Sequence, residues 1–151
     1  MSIVYLGIGS NIGERGSNCE KAVHRLRSTE RVQVVARSGT YITKPVGGPS
    51  QDDYLNEVLK IKTDHAPETL LSILKDIEHE MGRKPAERNH PRVIDIDILL
   101  YDDKTVITDD LVIPHPRMHE RDFVLKGLTK IAPDIVHPSF GKTVRELYEE
   151  I

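Results

Sequence analysis

The chain has one cysteine, Cys19, and no tryptophan among its 151 residues. A single cysteine excludes an internal disulfide. Because Cys19 falls in a helical apolar pattern, we expect a buried thiol that packs rather than reacts, in a reducing compartment. No apolar run reaches the length of a membrane span, and the short N-terminal run lacks the basic residues of a secretion signal. We therefore expect a cytoplasmic protein that does not bind a membrane.

The sequence also lacks an excess of basic charge, since its formal net charge is -3 at pH 7. Proteins that bind nucleic acids or membrane surfaces usually carry a basic face, so we expect neither partner. Hydrophobic residues make up 38% of the chain and charged residues 30%, which is a globular composition. Length and composition predict a single domain over residues 1–151 and favour a monomer.

Both common glycine motifs for nucleotides are missing. No G-x-x-x-x-G-K-[ST] P-loop occurs in the chain. The segment GIGSNIG, residues 7–13, has three residues before its last glycine where the dinucleotide-binding fingerprint has two. If the protein binds ATP, it does so without a P-loop or a Rossmann turn.

Apolar residues recur with two different periods. Stretches typical of strands lie at residues 2–9, 32–36, 40–43, 54–62 and 93–101. Helical spacing occurs around residues 19–26, over 67–81 and within 117–131, and a capping-box pattern at Thr143 and Glu146 predicts a last helix. The order β-α-β-β-α-β predicts an α+β, ferredoxin-like sandwich with additional C-terminal helices. Its antiparallel sheet would carry helices on one face and leave the other free for a site.

Two aspartates lie inside the strongest predicted strand, VIDIDILLY, at residues 93–101. The period of two places Asp95 and Asp97 on one face, about 6–7 Å apart at Cα, while Ile94, Ile96, Ile98 and Leu100 face the core. Aspartate is depleted in strands, and paired carboxylates suit Mg²⁺. The alternative is an amphipathic strand with its polar face in water.

A basic segment leads directly into that strand. Residues 83–92, RKPAERNHPR, carry Arg83, Lys84, Arg88 and Arg92 against the single acid Glu87. Arginine presents planar donors to phosphate oxygens, and Mg²⁺ is commonly completed by substrate phosphates and water. The juxtaposition indicates a polyphosphate site, although a solvated loop with local ion pairs is the alternative.

A third group of side chains suits a flat heterocycle. Asn56 and Tyr54 share the polar face of their predicted strand, and Phe123 follows the turn that contains His115. Asn56 would bond the edge of a ring and Phe123 would stack on it, while His115 would be held at a fixed angle by flanking prolines. Core packing for Phe123 and a plain surface role for His115 are the alternatives.

Taken together, the motifs resemble the 6-hydroxymethyl-7,8-dihydropterin pyrophosphokinases of folate biosynthesis, over residues 7–138. The motifs that carry the resemblance are GSN (9–11), YITKPVG (41–47), DYLNEV (53–58), IEHEMGR (77–83), RNHPRVIDIDILLY (88–101) and IPHPRMHERDFVL (113–125). The resemblance implies a ferredoxin-like fold that binds ATP and the pterin side by side. It also implies transfer of diphosphate to the pterin hydroxyl and release of AMP.

The resemblance also implies roles for individual residues. Asp95 and Asp97 would hold two Mg²⁺ ions, with Asp95 also near the pterin hydroxyl, which we expect it to orient rather than deprotonate. Arg92 and Arg83 would act in catalysis, and Arg92 would have the larger effect. The residues implied to line ATP are Lys75, Glu78, Arg88, Arg92, Ile98, His115 and Arg121. Those implied to line the pterin are Thr43, Pro45, Val46, Tyr54, Asn56, Asp95 and Phe123.

The sequence departs from the family pattern at three positions of the basic segment. Asn89 stands where many members have tryptophan, His90 where glycine or alanine is usual, and Pro85 where a second arginine is common. These changes bear on nucleotide affinity and not on the reaction class. Two other functions fit parts of the pattern: a metal-dependent phosphohydrolase or nuclease, and a non-catalytic module that binds a nucleotide or a partner strand.

Overall fold

The computed structural model describes residues 1–45, 50–82 and 92–151. The strands are β1 (Ser2–Ser10), β2 (Val32–Arg37), β3 (Tyr41–Thr43), β4 (Tyr54–Thr63), β5 (Asp95–Tyr101), β6 (Val106–Ile107) and β7 (Val112–Ile113). The helices are α1 (Arg15–Arg27), α2 (Pro67–Glu80), α3 (Asp122–Ile131) and α4 (Val144–Glu149), with a 3-10 helix at Met118–Glu120.

The main sheet is antiparallel, with the strand order β2-β4-β1-β5 and β3 added alongside β4. Because β1 and β5 come from opposite ends of the pattern yet lie side by side, this is the ferredoxin-like arrangement. The predicted fold class is confirmed. The hairpin of β6 and β7, whose strands have two residues each, was not predicted because so short a pair leaves no period in the sequence.

One face of the sheet packs against α1 and α2. A buried apolar cluster lies between this face and the two helices, and it includes Val4, Leu6 and Ile8 of β1. It also holds the predicted helical stripes, from Cys19 to Leu26 and from Leu70 to Ile77. Burial raises the pKa of the Cys19 thiol to about 11, as expected for a packing cysteine.

The ends of two helices follow their predicted signals. Pro67 opens α2 at its first turn, and Gly82 follows the helix with a φ of 92°. The Thr143 side chain accepts from the Glu146 amide while the Glu146 side chain accepts from the Thr143 amide, so the predicted capping box is formed. No helix in the described part of the chain is both long and apolar enough to span a membrane.

The second face of the sheet is only partly free. The C-terminal helices α3 and α4 cover one end of it, in a cluster that includes Tyr5, Val58, Leu100 and Leu128. The helix α3 approaches β4 closely because Gly127 faces the sheet, where an added Cβ would lie 2.5 Å from Val58 Cγ2. The face expected to be free for a site is therefore open only beside these helices.

A β-bulge changes the predicted facing of β5. Leu6 pairs with Ile98 but Tyr5 pairs with Leu100, so Leu99 is an extra residue on β5. The prediction that Leu100 faces the same core as Ile98 is wrong, since Leu100 packs under α3. The strand also begins at Asp95 rather than at residue 93.

We predict that Gly127→Ala destabilises the fold by about 1–3 kcal/mol, because the new methyl group overpacks the contact between α3 and β4. Gly16→Ala in α1 is the matched control, since nothing lies within 4 Å of a Cβ there. Urea unfolding of both variants measures the difference. Equal unfolding free energies for Gly127→Ala and wild type would contradict the close helix-to-sheet packing.

Candidate active site

A cavity of about 340 Å³ opens on the free end of the second sheet face. It is bounded by β1, β4 and β5 below and by the start of α3 at one side. Ten of the predicted site residues line it: Thr43, Pro45, Tyr54, Asn56, Arg92, Asp95, Asp97, His115, Arg121 and Phe123. The structure thus brings together residues that lie up to 80 positions apart in the chain.

Two glycines of β1 form the floor of this cavity. Gly9 pairs with Asn56 on one side and Asp95 on the other, while Gly7 pairs with Val58 and Asp97. An added Cβ at Gly9 would lie 2.7 Å from Asn56 Oδ1. Strand spacing places Asn56 and Asp95 about 10 Å apart across this floor at Cα. The missing side chains therefore leave room between a polar wall on β4 and an acidic wall on β5.

Asp95 and Asp97 lie on the cavity face, as predicted, and their side chains are hydrogen-bonded to each other. Burial and the neighbouring Asp95 carboxylate raise the pKa of Asp97 well above its ordinary value, because two negative charges cannot be held together cheaply. The described part of the chain gathers no group of three or more His, Cys, Asp or Glu side chains suited to a metal ion. The residues present fit a hard cation that takes two carboxylates and completes its shell with water and ligand phosphates.

Cationic side chains face this carboxylate pair. Arg92 and Arg121 both line the cavity, and the charge of Arg121 opposes the rise in the pKa of Asp97. The Arg121 guanidinium also lies 5.9 Å from the centre of the Phe123 ring. Positive and negative groups therefore share one partly enclosed space, which is the composition that a metal-bound polyphosphate requires.

His115 is neutral at physiological pH. Burial, followed by the nearby charge of Arg121, lowers its pKa to about 4. Its Nδ1 accepts from the Arg117 amide at 3.3 Å. Since a neutral imidazole that accepts at Nδ1 carries its proton at Nε2, the free ring nitrogen of His115 is available as a donor and not as an acceptor.

The wall opposite the aspartates is built by β3, β4 and α3. The Asn56 amide donates to the Thr43 hydroxyl, and the Tyr41 hydroxyl donates to the Phe123 carbonyl. Phe123 both packs against the second core cluster and lines the cavity, so the packing role is confirmed and stacking on a ring stays a prediction. Polar groups from the sheet and the ring of Phe123 thus line the same side of the cavity.

Three predicted ATP residues lie elsewhere. Ile98 is buried in the core beneath the sheet, so its side chain does not line the cavity, and its contact with ATP stays a prediction. Lys75 and Glu78 project from α2, on the helix side of the sheet. Glu78 is 8% exposed, and its Oε2 accepts from the Ile96 amide at 2.7 Å at the outer edge of β5.

Several predictions fall outside the described residues. They concern Val46, Arg83 and Arg88, together with Lys84, Pro85, Asn89 and His90 of the basic segment. The structure therefore leaves these predictions as they stand.

Other cavity residues were not predicted. Gly7, Gly9, Tyr41, Gln51 and Leu99 line the cavity although no site role was assigned to them from the sequence. The glycines had a detectable signal, since the alternation of β1 puts Tyr5, Gly7 and Gly9 opposite the apolar Val4, Leu6 and Ile8. Glycine inside a strand often marks the close approach of a ligand. Tyr41 and Gln51 had none, because their positions depend on pairing between distant segments.

Comparison with known proteins gives consistent results. The model of the family described as 7,8-dihydro-6-hydroxymethylpterin-pyrophosphokinase (HPPK) matches residues 5–133. The 2-amino-4-hydroxy-6-hydroxymethyldihydropteridine pyrophosphokinase of Aquifex aeolicus (strain VF5) is 42% identical over 150 residues, which are 99% of this chain and 92% of the relative. The protein of the same name from Methylorubrum extorquens is 45% identical over 146 residues, covering 97% of this chain and 91% of the relative.

A solved structure supports the fold. The crystal structure of Plasmodium falciparum HPPK-DHPS wild type with pterin and p-hydroxybenzoate superposes with a TM-score of 0.79 at 18% identity. The match covers 99% of this chain and 43% of that one, so this chain spans less than half of the Plasmodium falciparum protein.

The lowered pKa of His115 predicts a specific pH dependence of stability. Between about pH 6.5 and pH 4 the unfolded state binds a proton that the folded state does not, so the free energy of unfolding falls as pH is lowered. We predict that His115→Gln removes up to about 1.4 kcal/mol per pH unit from this slope and leaves the slope above pH 7 unchanged. Urea unfolding at several pH values measures it. Parallel pH profiles for variant and wild type would contradict the assignment of a neutral, half-buried ring.

Proposed function

This chain belongs to the 7,8-dihydro-6-hydroxymethylpterin-pyrophosphokinase family, and from that premise we propose that it catalyses the reaction for which the family is named. The pterin hydroxyl oxygen forms a bond to the β-phosphorus of ATP while the bond from that phosphorus to the α,β-bridging oxygen breaks. AMP leaves, and the diphosphorylated pterin serves folate biosynthesis. One observation carries the proposal: a single cavity holds a flat-ring wall and a carboxylate pair with arginines on opposite sides of a glycine floor.

In this proposal the pterin lies over Gly9, between the Asn56 wall and the aspartates. Asn56 and Thr43 bond the polar edge of the ring, while Tyr54, Pro45 and Phe123 contact its faces. A flat, polar-edged ring is suited to such a site, because stacking contributes apolar contact while the amide selects the edge. The hydroxymethyl group then lies toward Asp95, which orients it for attack.

Asp95 and Asp97 are proposed to hold magnesium, as two ions, together with the ATP phosphates. When bound, the metal neutralises charge on the transferred group. The raised pKa of Asp97 supports this role, because two carboxylates in contact have little reason to persist except to share a cation.

Arg92, Arg121 and His115 are proposed to contact the phosphate oxygens. Phosphoryl-type transfer depends on positioning and on stabilising charge, so fixed donors around the phosphates are the main contribution of the protein. Arg92 lies three residues before Asp95, and we assign it the largest effect on turnover among the arginines. Arg83 and Arg88 are proposed for the same role, and Val46 for the pterin, from the family resemblance alone.

The nucleoside end of ATP is proposed to lie at the outer edge of β5. Glu78 already bonds the Ile96 amide at this edge, and Lys75 lies one helical turn before it. Because the Ile98 side chain is buried, only its main chain is suited to contact the nucleotide. The packing of α4 into the second core cluster supports one catalytic domain over residues 1–151.

The direct test is to incubate the protein with ATP, Mg²⁺ and 6-hydroxymethyl-7,8-dihydropterin and to quantify AMP. We expect AMP to form only when the pterin is present, in a ratio of about one to one with diphosphorylated pterin, since each transfer releases one AMP. AMP or phosphate formed equally without pterin would instead identify a hydrolase that uses the same carboxylates.

We predict that Asp97→Asn lowers turnover at least about 100-fold, because metal binding contributes several kcal/mol to the transition state. The same substitution should leave the metal-free protein as stable as wild type or more stable, since the amide can still donate to Asp95 and never carries a charge in this buried position. Steady-state kinetics and thermal unfolding measure the two effects. Asp103→Asn, at an exposed position just after β5, is the matched control. Turnover near the wild-type value in Asp97→Asn would refute the metal assignment.

A further inference from the structure

Asn11 lies immediately after β1 and is 2% exposed. Its position is at the end of the strand that forms the cavity floor, two residues beyond Gly9. A buried amide is costly unless its donors and acceptor are satisfied, so its partners indicate what it stabilises.

Two of its hydrogen bonds go to the main chain of Arg92. The main-chain N–H of Asn11 donates to the Arg92 carbonyl at 3.1 Å. The main-chain N–H of Arg92 donates to the side-chain oxygen of Asn11, Oδ1, at 2.8 Å. These bonds continue the pairing of β1 with β5, in which Gly9 pairs with Asp95. Asn11 therefore fixes the backbone of Arg92 in register with the aspartates.

The side-chain NH2 group of Asn11 bonds a different segment of the chain. Asn11 Nδ2 donates to Gln51 Oε1 at 2.7 Å and to the Asp52 carbonyl at 3.1 Å. Gln51 lines the cavity beside the residues proposed to bind the pterin. The Asn11 side chain thus uses both donors and its acceptor to link Arg92 with the segment that contains Gln51 and Asp52.

The neighbouring Asn18 makes a useful contrast. Its Nδ2 donates to Ser10 Oγ at 3.2 Å and to the Ile12 carbonyl at 2.9 Å, so it stabilises the turn after β1 locally. The side-chain bonds of Asn11 instead reach residues 40, 41 and 81 positions away. Stabilising the turn does not require contacts at that range.

We infer that Asn11 is a positioning residue, which acts through Arg92 and Gln51 by holding both against the end of β1. The inference rests on the proposed function, because the role of Arg92 at the phosphates belongs to that proposal. Small displacements of a phosphate-binding group are costly, since a shift of about 1 Å can lower a rate about 100-fold.

The test compares Asn11→Ala with Asn18→Ala, alone and combined with Arg92→Ala. We expect Asn11→Ala to lower kcat at least about tenfold and Asn18→Ala to change it less than about twofold. If Asn11 acts through Arg92, its substitution should cost less than about twofold in the Arg92→Ala background. The inference would be overturned if Asn11→Ala lowered kcat by the same factor in the Arg92→Ala background as in wild type. It would also be overturned if Asn11→Ala and Asn18→Ala lowered kcat equally.

A measurement that does not depend on enzyme activity tests the role of Asn11 separately from the proposed function. Amide hydrogen exchange at Arg92 should accelerate at least about tenfold in Asn11→Ala and stay unchanged in Asn18→Ala, because the side chain of Asn11 accepts this amide and that of Asn18 does not. Unchanged exchange at Arg92 would overturn the inference alone, whereas a wild type that forms no AMP with pterin would overturn the proposed function alone.

Asn11→Asp serves as a second variant where alanine impairs folding. Aspartate has the same shape and still accepts the Arg92 amide, but it donates nothing to Gln51 or Asp52. We expect slow exchange at Arg92 and a smaller loss of kcat than in Asn11→Ala. Fast exchange at Arg92 in Asn11→Asp would contradict the link that the structure assigns.

Discussion

The pairing of β1 with both β4 and β5 is the constraint on which the rest of the site depends. This register fixes Asn56, Gly9 and Asp95 in one row and Val58, Gly7 and Asp97 in the next. Because the central residue of each row has no side chain, the two walls face each other across open space. A shift of one residue in either pairing would turn its wall toward the core, since strand side chains alternate between faces.

The buried carboxylate of Glu57 and the pair Asp95 and Asp97 differ in their charged neighbours. Glu57, whose side chain is 0% exposed, bonds the Arg37 guanidinium at 2.9 and 2.8 Å, and Arg37 also contacts Glu20. Its charge is therefore matched within the fold. Asp97 is buried beside another carboxylate, and burial together with the Asp95 charge raises its pKa. A pair of neighbouring carboxylates on the cavity face is the arrangement that suits a bound cation.

Most of the fold was predictable because its signals are local. Alternation in the β5 sequence was enough to place Asp95 and Asp97 on one face, and helical spacing was enough to place Cys19 and Leu74 in the core. The Leu99 bulge was not predictable, since it depends on how β1 pairs with β5. The same holds for the helix α3, which covers part of the sheet because Gly127 lets it approach.

The site was predictable to a similar extent and for the same reason. Residues with distinctive chemistry, such as Arg92 and Phe123, could be selected from the sequence and do line the cavity. Asn11 could not, because its partners are distant in sequence and only the folded chain brings them together. The facing of Ile98 toward the core was predicted from the alternation of β5 and is confirmed.

If the glycine floor is the pterin site, a side chain added at Gly9 must weaken pterin binding, which titration of Gly9→Ala with the pterin measures. A Cβ at this position displaces the Asn56 amide, from which it would lie 2.7 Å. We predict that pterin affinity falls at least about tenfold while ATP affinity changes less than about twofold, because the lost contact belongs to the ring alone. Unchanged pterin affinity in a folded Gly9→Ala protein would contradict the account.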